Sequence, residues 1–154
     1  MIDFIDSWEI AEQTCFDKLH EYLGGDIGRQ AFRGYMPEGA PDVWAFTSGG
    51  GETESQIGRL YGTTPCMGSI RTSAMVEAQY AQPERAKALK FGMTILKMLS
   101  DTGNMHEINN IQWLRLVNLP SEPVLTQSEN GYFLWVVQVP LELIYATTTN
   151  YSDE

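Results

Sequence analysis

Tyr132-Phe133-Leu134-Trp135-Val136-Val137-Gln138-Val139-Pro140-Leu141-Glu142-Leu143-Ile144-Tyr145 alternates with a period of two. Trp135, Val137, Val139, Leu141, Leu143 and Tyr145 fall on one side, and Leu134, Val136, Gln138 and Glu142 on the other. Period two is the geometry of a pleated strand, whose successive side chains leave opposite faces. A strand this long and this apolar needs a sheet around it and a layer over at least one face. Pro140 has no N–H to give to a ladder, so an edge or a bulge is expected near it.

Working back from that strand, Asn130-Gly131 is a hairpin turn signal. It makes Val124–Gln127 a short partner, with Pro120 to Pro123 a turn closing an earlier strand, Ile111–Leu119. Further back lies a wide apolar arc at helical spacing, Leu89, Phe91, Met93, Ile95, Leu96, Met98 and Leu99. Pro83 opens this helix where proline is tolerated, Gly103 closes it, and Lys87, Lys90 and Lys97 form its wet stripe. Before it, Met67–Tyr80 alternates Ile70, Thr72, Ala74 and Val76 with Ser69, Arg71, Ser73 and Glu77, a second long strand.

Ser48–Thr64 contains Gly49-Gly50-Gly51 and reads as a long mobile loop. Asp42–Ser48 reads as a strand, with Trp44 and Phe46 opposite Val43 and Ala45. Residues 24–41 are rich in Gly and Pro and read as a loop, with a short extended piece around Ala31–Tyr35. Residues 3–23 form the clearest helix: Phe4, Trp8, Ala11, Cys15, Leu19 and Tyr22 share one stripe, and Gly24-Gly25 ends it. Thr147–Glu154 reads as a polar tail. The order helix, strand, strand, helix, strand, strand predicts one α+β domain over residues 1–154. Its expected form is a mainly antiparallel sheet of about four strands with two helices packed on one face.

Composition limits what such a domain does. The 154 residues include twenty acids and ten bases, a net charge of −10. Counterion release at phosphates needs clustered Lys and Arg, so direct reading of DNA or RNA is not expected. The opening Met-Ile-Asp-Phe-Ile-Asp lacks a basic stretch followed by an apolar run, so no signal peptide is expected. No window approaches the ~20 apolar residues of a membrane span. Cys15 and Cys66 share no CxxC spacing and are read as two buried thiols in a reducing compartment.

Candidate chemistry is sparse. Gly49-Gly50-Gly51 is followed by Glu52, Thr53 and Glu54 rather than by the Lys of a phosphate loop, so it reads as a flexible turn. Ser69 lacks the second glycine of a nucleophile elbow. Cys66 needs His20 or His106 beside it to become a nucleophile. His106-Glu107 are adjacent rather than at ligand spacing, and both histidines read as surface or capping residues. Glu77 and Glu142 lie in apolar strands, and both are expected to point outward. Trp44, Trp113 and Trp135 are expected in the core. No catalytic, cofactor or metal residue is assigned.

The helices differ in charge. From Asp3 to Glu21 there are six acids and one base, and from Glu84 to Lys97 four bases and one acid. Asp6, Glu9 and Glu21 on the first helix and Lys87, Lys90 and Lys97 on the second are therefore candidates for contacts between copies. Two solvated faces would give the same pattern.

Four features together resemble the tail terminator and minor tail proteins of long-tailed bacteriophages. These are the opening helix Phe4–Leu23; the Gly/Pro stretch Gly34-Tyr35-Met36-Pro37 to Pro41 leading into Val43-Trp44-Ala45-Phe46; the long loop before the helix Pro83–Ser100; and the closing strand Trp135-Val136-Val137-Gln138-Val139-Pro140-Leu141. The likeness covers nearly the whole chain through pattern rather than an invariant motif. It implies a non-enzymatic virion protein, assembled in host cytoplasm as a homo-oligomeric ring, commonly a hexamer. Such a ring caps the tail tube, contacts tube and neck or connector proteins, and lets DNA pass unbound. The long loop at 48–64 departs from the compact members. Two rivals remain: a head-closure or adaptor protein of the neck, and a small-molecule-binding or enzymatic domain with a pocket between sheet and helices, involving Glu77 or Arg71.

Overall fold

The computed structural model describes residues 4–57, 65–102 and 111–150. Among these there are two α-helices, α1 (Phe4–Leu23) and α2 (Arg85–Asp101), and six strands. The strands are β1 (Ala31–Arg33), β2 (Val43–Ile57), β3 (Pro65–Ala81), β4 (Ile111–Leu116), β5 (Val124–Gln127) and β6 (Phe133–Asn150). They form one sheet in the order β1-β2-β3-β6-β4, and β5 also pairs with β6. All pairings are antiparallel except β1 with β2, so the sheet is mixed. The expectation of about four antiparallel strands is corrected to six, one pair parallel.

The expected alternation places the core. Trp44 and Phe46 of β2, Ala74, Val76 and Ala78 of β3, and Val137, Val139, Leu141, Leu143 and Tyr145 of β6 are buried in one cluster. The same cluster takes Ala11, Cys15, Phe16 and Leu19 from α1 and Ala88, Phe91, Ile95, Met98 and Leu99 from α2. Both helices therefore cover one face of the sheet. On the other face a small cluster of Phe32, Val43 and Ala45 packs with Met36 and Ala40 of the loop between β1 and β2. That loop crosses toward the β5–β6 turn, where the Asn130 amide lies so near Gly39 that a Cβ there would sit 2.6 Å from it.

The loop expected over residues 48–64 is corrected through Ile57. β2 continues past Ser48, and residues 58–64 lie outside the described residues. Local composition fails there because the pairing is non-local. β3 is 17 residues long and holds β2 along most of its length, with register shifts between Ser48 and Gly50 and between Gly50 and Glu54. Bulges absorb the extra residues without ending the ladder, and Gly49, at φ +85°, takes a backbone shape that side chains disfavour. The expected tail is also partly strand: Thr147 to Asn150 pair with β3, and residues 151–154 lie outside the described residues.

Pro140 marks a break in a neighbour, not an edge of its own. β6 is paired on both sides: β3 runs along one, and β4 and β5 share the other. β4 ends opposite Leu141 and β5 begins opposite Val136. The Pro140 carbonyl accepts from Val117 on that shared side, and the missing N–H faces the same way, just past the end of β4, where the ladder to that strand stops. Pro83 lies in a 3-10 turn, Gln82–Glu84, which leads into α2. α1 ends as expected, with Gly24 at φ +69° donating its N–H to His20.

Candidate functional site

The helix layer carries the strongest division of charge. α1 packs on β6 as well as on β1 and β2: the Trp8 indole donates to Ser48 at 2.9 Å, and Phe16 stacks on Trp44 at 5.3 Å. α2 covers β3 and β6, and the segment after β4 rests on it, with Pro120 so near Gly92 that an added Cβ would lie 2.7 Å away. The helices touch at their C-terminal ends, where the Tyr22 hydroxyl meets the Asp101 carboxylate at 3.3 Å.

Of the six candidate contact residues, Glu9, Glu21, Lys87, Lys90 and Lys97 are exposed. Asp6 is in the first turns of α1, and its side chain lies outside the described residues. Glu21 is partly engaged by Lys18 at 3.0 Å, and Lys87 by Glu84 at 3.7 Å. The fold therefore keeps the acids on one helix and the lysines on the other, and among the described residues no ion pair joins the two sets inside one copy.

The sequence reading missed Glu12, a carboxylate on the inner side of α1 that is only 4 % exposed. It accepts from the Ser48 hydroxyl, which in turn accepts from the Trp8 indole, and Arg33 approaches it at 3.7 Å. At helical spacing Glu12 falls between Ala11 and Cys15 on one side and Phe16 on the other, so its place inside the apolar arc was the available signal. Burial, with Glu12 nearby as a second cause, pushes the Cys15 thiol far above the ordinary thiol range. That thiol is a packing group and not a nucleophile.

The other sequence candidates separate in space. Glu142 does not stand free on the outer face: its carboxylate receives Arg115 at 2.6 and 2.9 Å, with Arg71 at 3.5 Å. Glu77 accepts from the Gln138 amide at 2.7 Å. His20 caps α1, its ring 2.7 Å from the Gly25 carbonyl. Trp44 is buried and donates to the Gly24 carbonyl, while Trp135 is half-buried, donates to the Gln82 carbonyl and lies under Arg85. The side chains of Cys66, Ser69 and Trp113, and all of His106 and Glu107, lie outside the described residues.

A polar cleft of about 290 Å³ opens on the sheet face opposite the helices, lined by Glu38, Glu77, Gln79, Ser128, Leu134 and Val136 among others. The side-chain amide oxygen of Gln79 is buried without a hydrogen-bond partner. The cleft includes Glu77 but not Arg71, and it lies between sheet and loop rather than between sheet and helices. Among the described residues, no group of three or more His, Cys, Asp or Glu is placed to hold a metal. No helix there is long and apolar enough to cross a membrane. No protein-family model matches the chain, and no curated protein matches it significantly.

Proposed function

We propose that this chain is a structural virion protein that assembles into a homo-oligomeric ring at the end of a phage tail tube and joins tail to head. The observation that carries the reading is the split helix layer, acidic on α1 and basic on α2, with the two sets left apart within a copy. Charges that pair poorly within one subunit are suited to setting register between subunits. The net charge of −10 adds a second support, because a lumen of that sign lets nucleic acid pass without retaining it. The ring reading assigns no catalytic group and no cofactor.

Sedimentation of the purified chain with a tail-tube protein tests this reading. The expected result is a defined oligomer on tube ends. A chain that never joins the tube removes the proposal. An adaptor of the neck is the variant reading, and order of addition to purified heads and tubes separates the two. A small-molecule-binding role draws on one specific observation, the unpartnered Gln79 oxygen in the cleft beside Glu77. A large thermal shift with one metabolite, lost in Glu77→Gln, favours that role over assembly.

A further inference from the structure

The ring reading makes no use of the sheet face away from the helices. Glu77 and Gln79 alternate with the buried Val76 and Ala78 on β3, so both leave that face, about 6–7 Å apart along the strand. Across the ladder on β6, Gln138 stands opposite Glu77 and Val136 opposite Gln79. The Gln138 amide donates to Glu77 Oε2 at 2.7 Å, which holds the carboxylate in place. Among the described residues no donor meets Glu77 Oε1. The Gln79 amide oxygen is buried with no hydrogen-bond partner at all. Buried acceptors in this state are rare in folded proteins and costly to keep.

The walls above this floor are held in place. The loop of residues 34–42 runs over the face and meets the β5–β6 turn. Gly39, at φ +65°, sits so close to the Asn130 amide that a Cβ would lie 2.6 Å from it. The Glu129 N–H points to Glu38 Oε1 at 3.5 Å, tying the same two segments together. Between loop, turn and sheet lies the cleft of about 290 Å³. Its described lining includes two carboxylates, Glu38 and Glu77, and no Lys, Arg or His. Acceptors and negative charge therefore face one small space, with Leu134 and Val136 as its apolar floor. Its size suits one side-chain-sized group rather than a nucleotide or a large cofactor.

We propose that this cleft binds an alkyl guanidinium group, whose N–H donors reach Glu77 Oε1 and the Gln79 oxygen while Glu38 supplies a second negative charge at the rim. An unbonded amide turns about its last side-chain bond at little cost, which brings its oxygen to the incoming donor. Two carboxylates repel an anion, and a neutral ligand leaves both without compensation. A planar guanidinium carries N–H groups on separate edges and spans two acceptors set apart along a strand. An ammonium concentrates its donors on one nitrogen. A free metabolite and an arginine of a partner protein present the same group. The inference rests on the small-molecule reading above and names its ligand class, and it is independent of the ring.

Titration of the full chain, followed by the backbone amide signals of Glu38, Gly39 and Ser128, tests this. The probes are methylguanidinium and the blocked tripeptide acetyl-Gly-Arg-Gly-amide, with methylammonium and methyl phosphate for comparison. A guanidinium probe is expected to shift these signals at millimolar concentration, less so as salt screens the contact. Methylammonium is expected to bind several-fold more weakly, and methyl phosphate not at all. Glu77→Gln and Gln79→Leu should each weaken guanidinium binding at least about tenfold. Gln79→Leu removes the unpaired oxygen and should melt no lower than wild type, whereas Glu9→Gln on α1 should bind as wild type does. Binding of methylguanidinium but not of the tripeptide supports a free ligand, and binding of the tripeptide alone supports a partner's arginine. Silence at these amides with both guanidinium probes, methylammonium binding as tightly, or Glu77→Gln and Gln79→Leu chains that bind as wild type overturns the inference. A neutral or anionic compound that binds here and is lost in Glu77→Gln overturns the guanidinium assignment and leaves the small-molecule reading standing. A cleft that takes no compound of any charge removes both.

Discussion

The two helices sit on the same face of the same sheet and break the usual inside–outside rule in opposite directions. α1 admits a carboxylate to its inner side, and α2 leaves Met93 and Leu89 on its outer side. The inner exception is fully answered: Glu12 has Ser48, and Ser48 has Trp8. A buried charge without such partners costs far more than an exposed methionine does. Among the described residues, nothing covers the outer exception. The difference teaches where to look for function, because an apolar group that the fold leaves unused outside is cheap to keep.

The comparison breaks most easily in the shared core. Ile95→Ala removes a side chain fully buried between α2 and the sheet and is expected to cost about 2–5 kcal/mol. Urea unfolding measures it, and a loss below ~1 kcal/mol would mean that α2 is loosely docked. Gly92→Ala comes next. Its new methyl meets Pro120, and overpacking of this kind costs about 1–3 kcal/mol. A double change with Pro120→Gly should recover part of the loss.

Ser48→Ala tests the inner exception on α1. It leaves the Glu12 carboxylate and the Trp8 indole short of a partner, for a loss of about 1–3 kcal/mol. Adding Glu12→Gln should change the stability far less in the Ser48→Ala background than in wild type, a coupling that a double-mutant cycle reads directly. If the two changes simply add, the bond between them contributes nothing.

Alkaline pH gives the most gradual effect, spread over the pH range in which a single phenol ionises. Burial, with Asp42 as a lesser cause, pushes the Tyr80 phenol from 10.0 up to about 12. Tyr80 meets Phe91 of α2 edge-on at 6.3 Å, so this group reports on α2 docking. A folded-state value above the unfolded one means stability that is complete below pH 10 and is lost as the pH rises toward 12. Tyr80→Phe should flatten that loss in thermal melts taken between those limits, and an unchanged slope would rule out Tyr80 as its source.

Much of this architecture was written locally. β6, β3 and both helices carry strong periodicity, and the faces assigned to Trp44, Val76, Val139 and Leu143 are the faces they occupy. The sequence-only view of β2 failed past Ser48, because Gly, Ser and Glu have no strand preference of their own and β3 imposes the pairing. β1 was legible only as a short extended piece, since three residues cannot announce a parallel partner. Pro140 pointed to a real interruption but not to whose it was. At the candidate site, the opposed charges were visible from composition alone. Glu12 was given no face because a charged residue does not read as part of an apolar stripe, and the apolar arc of α2 took in Met93 and Leu89, which are exposed.

The slips in β2 also bear on how the molecule behaves in a crowded solution. β1 covers the outer rim of β2 only from Trp44 to Phe46, and beyond that the described residues leave the rim bare. A bare, regular rim invites identical chains to stack without limit, as in amyloid. The two register slips interrupt the regular repeat of this one, so it offers a poor flat template for fibril growth.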